Sequence, residues 1–148
     1  MLGSRRGTCV SLSPDNLFIE GFYLLSIATN VHFYKVDITS PSTIASAATT
    51  LRAQDGHPTI LINNAGIAYA NSILCSNEEE IRRTLEVNTL SHFWTIREFL
   101  PHMLEMNHGH IVTMASMASF AGAGGLMAYS ASKAALNMLV SKTCSRGR

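Results

Sequence analysis

Residues 58–66 read PTILINNAG, a short unbroken apolar run closed by turn-forming residues. A run of that length with no polar alternation predicts a strand buried on both faces, the habit of parallel sheets. Parallel strands need a long crossover, usually a helix, so this one stretch constrains most of the chain. GHIVTMAS (109–116) is a second run of the same kind, and FYLLSIA (22–28) and HFYKVDI (32–38) read as further strands, rich in aromatic and branched residues. Helical patterns lie between them. SPSTIASAATTLRAQDG (40–56) has Ser40 as cap, Pro41 in the first turn and Gly56 just past the end. Ser76 with Glu79 three positions on predicts a capping box, opening a helix through EEEIRRTLEVNTLSHFWTIREFLPHMLEM that Pro101 bends late. MAYSASKAALNMLVSK (127–142) is another helix. The alternation predicts an α/β fold: a parallel sheet with right-handed crossovers and helices on both faces.

Bulk properties narrow the function. The chain has 148 residues, 47% apolar and 14% charged, which suits one domain with a sizeable core. A net charge of +1 without any Lys/Arg block gives no argument for a nucleic-acid partner. Cys9, Cys75 and Cys144 are scattered and odd in number, neither a disulfide framework nor a zinc site, and suit a reducing, cytoplasmic compartment. The longest apolar stretch, LFIEGFYLLSIA (17–28), is far short of the roughly 20 residues of a membrane span. His108 and His110 lack a third nearby ligand, so no metal site is expected.

Ligands of such sheets bind beyond the carboxyl ends of the strands. Asp37, Asn63-Asn64-Ala65-Gly66 and Ser116 all fall there, and the small Ala65 and Gly66 let a flat ligand approach the backbone. Periodicity places Asn88 with Ile81 and Leu85 on an inward, otherwise apolar face, where its amide must find partners. Tyr129 and Lys133 stand one helical turn apart, with Cβ atoms about 6 Å from each other. A unit charge at that distance is worth about 3 kcal/mol at moderate dielectric, or roughly 2 pKa units. That draws a phenol from about 10 toward 8, useful for acid–base work. Ser116 then holds a carbonyl oxygen against the phenol, and Asn88 anchors a water behind Lys133. The set reads as a proton-transfer device for an alcohol and a carbonyl, with hydride left to a cofactor.

These residues together, NNAG, the asparagine in EVNTLSHFW, a serine thirteen before the tyrosine, and YSASK, resemble the short-chain dehydrogenase/reductase family. The resemblance spans roughly residues 31–142 and is strongest to the retinol and hydroxysteroid dehydrogenase-like branch, which handles lipophilic alcohols and ketones. It implies a Rossmann-like doubly wound sheet and NAD or NADP as cofactor. It also implies a catalytic set of Asn88, Ser116, Tyr129 and Lys133, with the cofactor met by Asp37, Asn63, Ala65, Gly66, Tyr129 and Lys133. It suggests a homo-oligomer formed through the helices of 77–107 and 127–142, with Phe93, Trp94, Phe99 and Met138 as candidate contacts. Membrane or lipid-droplet association is a property of relatives in that branch.

Two departures qualify the resemblance. The family's first strand and T-G-x-x-x-G-x-G turn, which cradle a pyrophosphate, have no counterpart in MLGSRRGTCVSLSPDN (1–16), and the family's later strands have none after Arg148. The expectation is a single partial domain over 1–148, atypical over 1–30, that binds nicotinamide cofactor weakly. The competing reading is an inactive fragment acting at most as a pairing partner of a full-length relative. A sugar-nucleotide epimerase, which shares Y-x-x-x-K, is disfavoured by NNAG and the serine spacing.

Overall fold

The computed structural model describes residue 32 and residues 34–143. The strand expected over 22–28 and the segment 1–16 lie outside the described residues. Strand β1 (Ile60–Asn63) pairs in parallel with β2 (His110–Thr113), in the register Ile60↔His110 through Asn63↔Thr113. The pairing runs on by one bond at each end, from His110 N to Thr59 O (2.8 Å) and from Met114 N to Asn63 O (2.9 Å). The two expected buried runs are therefore neighbours, as the crossover pattern requires.

Helix α1 (Pro41–Asp55) has Ser40 as N-cap, Pro41 at its first position and Gly56 at its end. Gly56 sits at φ 82°, ψ −167°, a conformation almost closed to residues with a Cβ. Ile44, Ala48 and Leu51 recur at helical spacing and are buried. Each large one is worth about 1.5–3 kcal/mol. Their neighbour is α3 (Ser91–Glu105), which Arg52 also clasps, donating from Nη2 to the Glu98 carboxylate and to Glu98 O, both at 2.9 Å.

The expected strand over 32–38 is not a strand among the described residues. Val36 and Ile38 are buried, but a strand also needs a ladder partner, and no described residue supplies one. At Asp37 the chain already turns, its carbonyl accepting from Ser40 N (3.1 Å) and Thr43 Oγ1.

The long helix expected after residue 76 begins one residue later and is not continuous. Helix α2 (Glu78–Leu85) is capped by Asn77, whose side chain accepts from Glu80 N at 2.7 Å while Glu80 accepts from Asn77 N. Ser76 was the expected cap, but its hydroxyl is spent on Ser72 O in the preceding turn. Residues Glu86–Leu90 then form a single π turn before α3, in which Pro101 is accommodated inside the helix. The inward stripe differs too. Thr84, Asn88, Ser91 and Thr95 are buried, whereas Leu85 is 39% exposed. Small hydroxyl residues can face inward there because each returns its hydrogen to a carbonyl of the preceding turn, as Ser91 does to Val87 O (2.6 Å).

Helix α4 (Met127–Thr143) packs against α2, the π turn and a short 3₁₀ turn, Met117–Ser119. Helix α3 lies on one face of the strand pair, with Thr95 Oγ1 donating to Asn63 Oδ1 at 2.8 Å. On the opposite face Ile60, Ile62 and Val112 are exposed among the described residues, so only one of the two expected helical layers covers the strands there. None of the described helices is long and apolar enough to cross a membrane.

Candidate active site

The carboxyl ends of β1 and β2 open toward the π turn and α4, and the site is assembled from what each contributes. From β1 comes the turn Asn64–Ile67. Space is tight at Gly66: a Cβ on it would stand 3.3 Å from Lys133 Nζ and 3.4 Å from Asn88 Oδ1. Two of the expected catalytic side chains thus converge on one glycine.

Asn88 is fully buried and nearly saturated. Its Oδ1 accepts from Ile67 N (2.8 Å), and its Nδ2 donates to Ile67 O (2.8 Å) and to Ser132 Oγ (3.0 Å). The expected partners of this amide are therefore protein groups, from the β1 turn and from α4. The π turn helps place it, since Thr89 Oγ1 donates to Ser132 O at 3.1 Å and holds the turn against α4. π turns of this kind recur at functional sites.

Lys133 is only 4% exposed. Its ammonium donates to Met114 O just beyond β2 (2.7 Å) and lies 5.9 Å from the centre of the Tyr129 ring. Burial pulls the Lys133 pKa below its ordinary value. Ring and ammonium thus stand one turn apart on α4. Ser116 caps the 3₁₀ turn, its Oγ accepting from Ala118 N at 3.2 Å. Accepting there leaves the hydroxyl hydrogen available, and among the described residues it is not joined to Tyr129 by a hydrogen bond.

Two of the other expected residues have structural duties. Asp37 is exposed and accepts from Thr39 N (2.9 Å) and Thr39 Oγ1 (2.7 Å), and those bonds hold its carboxyl below the usual carboxylate range. Asn63 is buried with its side chain turned to α3 and Thr95.

Sequence reasoning missed Ser132 and His92. Ser132 is the residue between the tyrosine and the lysine on which Asn88 and Thr89 converge; its small size in YSASK was the only signal. His92, in the stretch NTLSHFW, is buried with no hydrogen-bond partner on either ring nitrogen among the described residues. Burial, with the Lys133 charge beside it, pushes its pKa down to about 4. The Ala65 backbone draws it slightly upward, without a hydrogen bond of ordinary length. The unfolded chain takes up a proton here near pH 6.5, and the folded chain refuses it until about pH 4. Stability should hold above this window and fall through it on acidification, by on the order of 3 kcal/mol. Urea midpoints at about pH 7.5 and about pH 4.5 should therefore differ more for the wild type than for His92→Leu. Parallel losses in the two chains would exclude His92 as the acid-sensitive group.

A depression of about 400 Å³ lined by Pro41, Ser42, Ala45, Trp94, Arg97 and Glu98 lies between α1 and α3. It holds none of the convergent residues and has no part in the site.

Comparison with known proteins bears on the family and the fold. The family model described as short chain dehydrogenase matches residues 23–146. The chain is 52% identical over 123 residues to Dehydrogenase RED2 of Cochliobolus heterostrophus, covering 83% of this chain and 44% of that protein. It is 43% identical over 107 residues to estradiol 17-beta-dehydrogenase 11 of Pongo abelii, covering 72% of this chain and 36% of that protein. The chain thus spans less than half the length of these two relatives. Its fold superposes on NAD+-bound xylitol dehydrogenase with a TM-score of 0.82 at 24% identity, over 92% of this chain and 54% of that one.

Proposed function

The chain belongs to the short-chain dehydrogenase family, and we propose that its site interconverts an alcohol and a carbonyl, exchanging hydride with NAD or NADP. The observation that carries this reading is the buried Lys133 ammonium, 5.9 Å from the Tyr129 ring. A cation so placed holds positive charge beside a group that gains and gives a proton.

The residues fit a nicotinamide nucleotide where they can be judged. The Gly66 turn presents bare backbone beside Lys133, where a flat ring needs close approach. Asp37 would meet the adenosine end; Asn63, Ala65 and Gly66, with Tyr129 and Lys133, would meet the nicotinamide end. Asn63 would contribute mainly by shaping the end of β1, since its side chain is engaged by Thr95. The bound nicotinamide supplies the hydride acceptor or donor. Tyr129 exchanges the proton of the substrate oxygen. Ser116, with its hydroxyl hydrogen uncommitted among the described residues, donates to that oxygen and holds it. Lys133 keeps charge beside Tyr129, and Asn88 fixes the glycine turn and α4 relative to one another.

A lipophilic substrate is part of the proposal. Tyr69, Leu74, Met117 and Phe120, on the segments that leave β1 and β2, are all exposed and apolar, and one relative is named as an estradiol dehydrogenase. The scattered cysteines support a reducing, cytoplasmic compartment.

The test is calorimetry of NAD and NADP on the chain, beside a version grafted with a family-type first strand and glycine-rich turn. The grafted chain should bind and reduce cofactor when given a lipophilic secondary alcohol, and the ungrafted chain should bind more weakly. A grafted chain that binds cofactor but reduces none would overturn the assignment.

Self-association is also proposed. Leu85, Leu90 and Phe93 are exposed at the end of α2, in the π turn and on α3, and Met138 is exposed on α4, more apolar surface than a solvated helix face usually presents. Sedimentation at micromolar concentration should show a dimer or larger species; a monodisperse monomer counts against it.

A further inference from the structure

Three hydrogen bonds meet at Ser132, a residue with no role in the reaction proposed above. Its hydroxyl donates to Tyr129 O (2.7 Å) and accepts from Asn88 Nδ2 (3.0 Å), while its carbonyl accepts from Thr89 Oγ1 (3.1 Å). The side chain is completely buried. A hydroxyl has one hydrogen. Because that hydrogen is committed to a carbonyl, which can only accept, the Asn88 atom facing Ser132 must be the donating NH₂. The other end of the amide must then be the oxygen, and it meets Ile67 N–H at 2.8 Å. Ile67 demands the same orientation, its N–H meeting Asn88 Oδ1 and its carbonyl accepting from Asn88 Nδ2 (both 2.8 Å), so the amide ties Ser132 on α4 to the segment that follows β1.

We infer that Ser132 is a positioning residue that locks α4 to the π turn and so sets where Tyr129 and Lys133 stand relative to the glycine turn. It lies between the two on the helix, bonded to the backbone of one and adjacent to the other. The clamp is two-sided, since Asn88 holds the side chain and Thr89 holds the main chain. Releasing it lets α4 shift or roll about its axis, and Lys133, one residue along, is then the first group to meet water. The significance for turnover rests on the proposed reading of Tyr129 and Lys133 as the proton-transfer pair; the clamp itself does not.

The test uses the full chain and the Lys133 side-chain titration followed by NMR, which needs no turnover. Ser132→Ala should move the Lys133 titration upward, toward that of an exposed lysine, by about half a pH unit or more. Ser132→Thr, which keeps the hydroxyl, should restore most of the difference. Thr89→Val, which removes only the main-chain half of the clamp, should move the titration the same way by less. It also serves if Ser132→Ala does not fold. A folded Ser132→Ala or Thr89→Val chain with wild-type Lys133 titration would overturn the inference, because a residue that merely fills space would leave that titration in place. In the cofactor-competent version, Ser132→Ala should lower kcat about tenfold with the cofactor KM changed little. If the titration shifts but the wild type shows no turnover, the clamp stands and the oxidoreductase reading fails. If turnover is present and both kcat and the Lys133 titration are indifferent to Ser132→Ala, the inference fails and that reading stands.

Discussion

Tyr129→Phe should lower turnover by at least about a hundredfold while leaving NAD or NADP affinity within about twofold. The substitution removes one oxygen and nothing else. The ring stays in α4, and the Lys133 ammonium, 5.9 Å from its centre, keeps its bond to Met114 O. What disappears is the only group in the proposed mechanism that both takes a proton from the substrate and returns it. Steady-state rates and calorimetry on the cofactor-competent version separate the two quantities. Wild-type-like rates would remove Tyr129 from the mechanism, and a parallel loss of cofactor affinity would recast it as a binding residue.

The largest effect on stability is expected at Asn88. Replacing it by Leu, of similar volume, strips partners from Ile67 N–H, Ile67 C=O and the Ser132 hydroxyl at once. A buried group left unpaired costs about 1–3 kcal/mol, and since the Ile67 groups are only part-buried the loss should be on the order of 3 kcal/mol in all. Asn88→Asp should also be poor, for a different reason. Carboxylate oxygens would then face the Ile67 carbonyl and a hydroxyl already committed as donor to Tyr129 O. Urea unfolding measures both. A loss below about 1 kcal/mol for Asn88→Leu would mean that the turn after β1 finds other partners.

What could be read from the sequence was what is decided locally. Ser40, Pro41 and Gly56 punctuate α1 without help from the rest of the chain, and the apolar runs at 58–63 and 110–115 could pair in few ways. Ser76 and Asn77 were both good caps, and the choice fell to Asn77 because the preceding turn had already taken the Ser76 hydroxyl. Residues 34–37 have the composition of a strand, but composition does not supply a ladder partner. Leu85 was expected inward from its hydrophobicity. Thr84, Ser91 and Thr95 are buried instead, their hydroxyls satisfied by carbonyls one turn back.

The candidate site divides along the same line. Tyr129 and Lys133 are one turn apart on one helix, so their meeting is visible in the spacing. Asn88 was legible as a buried amide in need of partners, but the partners, Ile67 and Ser132, are 21 and 44 residues away along the chain. His92 has no hydrogen bond of ordinary length on either ring nitrogen among the described residues, only the weaker pull of the Ala65 backbone. No pattern of spacing foretells a buried imidazole so thinly partnered.

The π turn at Glu86–Leu90 is a tertiary property and has no basis in the local sequence. Val87, Asn88 and Thr89 are only weak helix formers, which does not by itself select a π turn, and the bonds that tie the turn in place come from the segment after β1 and from α4. A peptide of residues 78–105 on its own would relax to a plain α-helix wherever it is helical at all. The wider turn is therefore a record of docking. It forms only when α4 and the strand ends are already in position, so the amides of this segment report on assembly of the site as a whole, in a place where no substrate need be present.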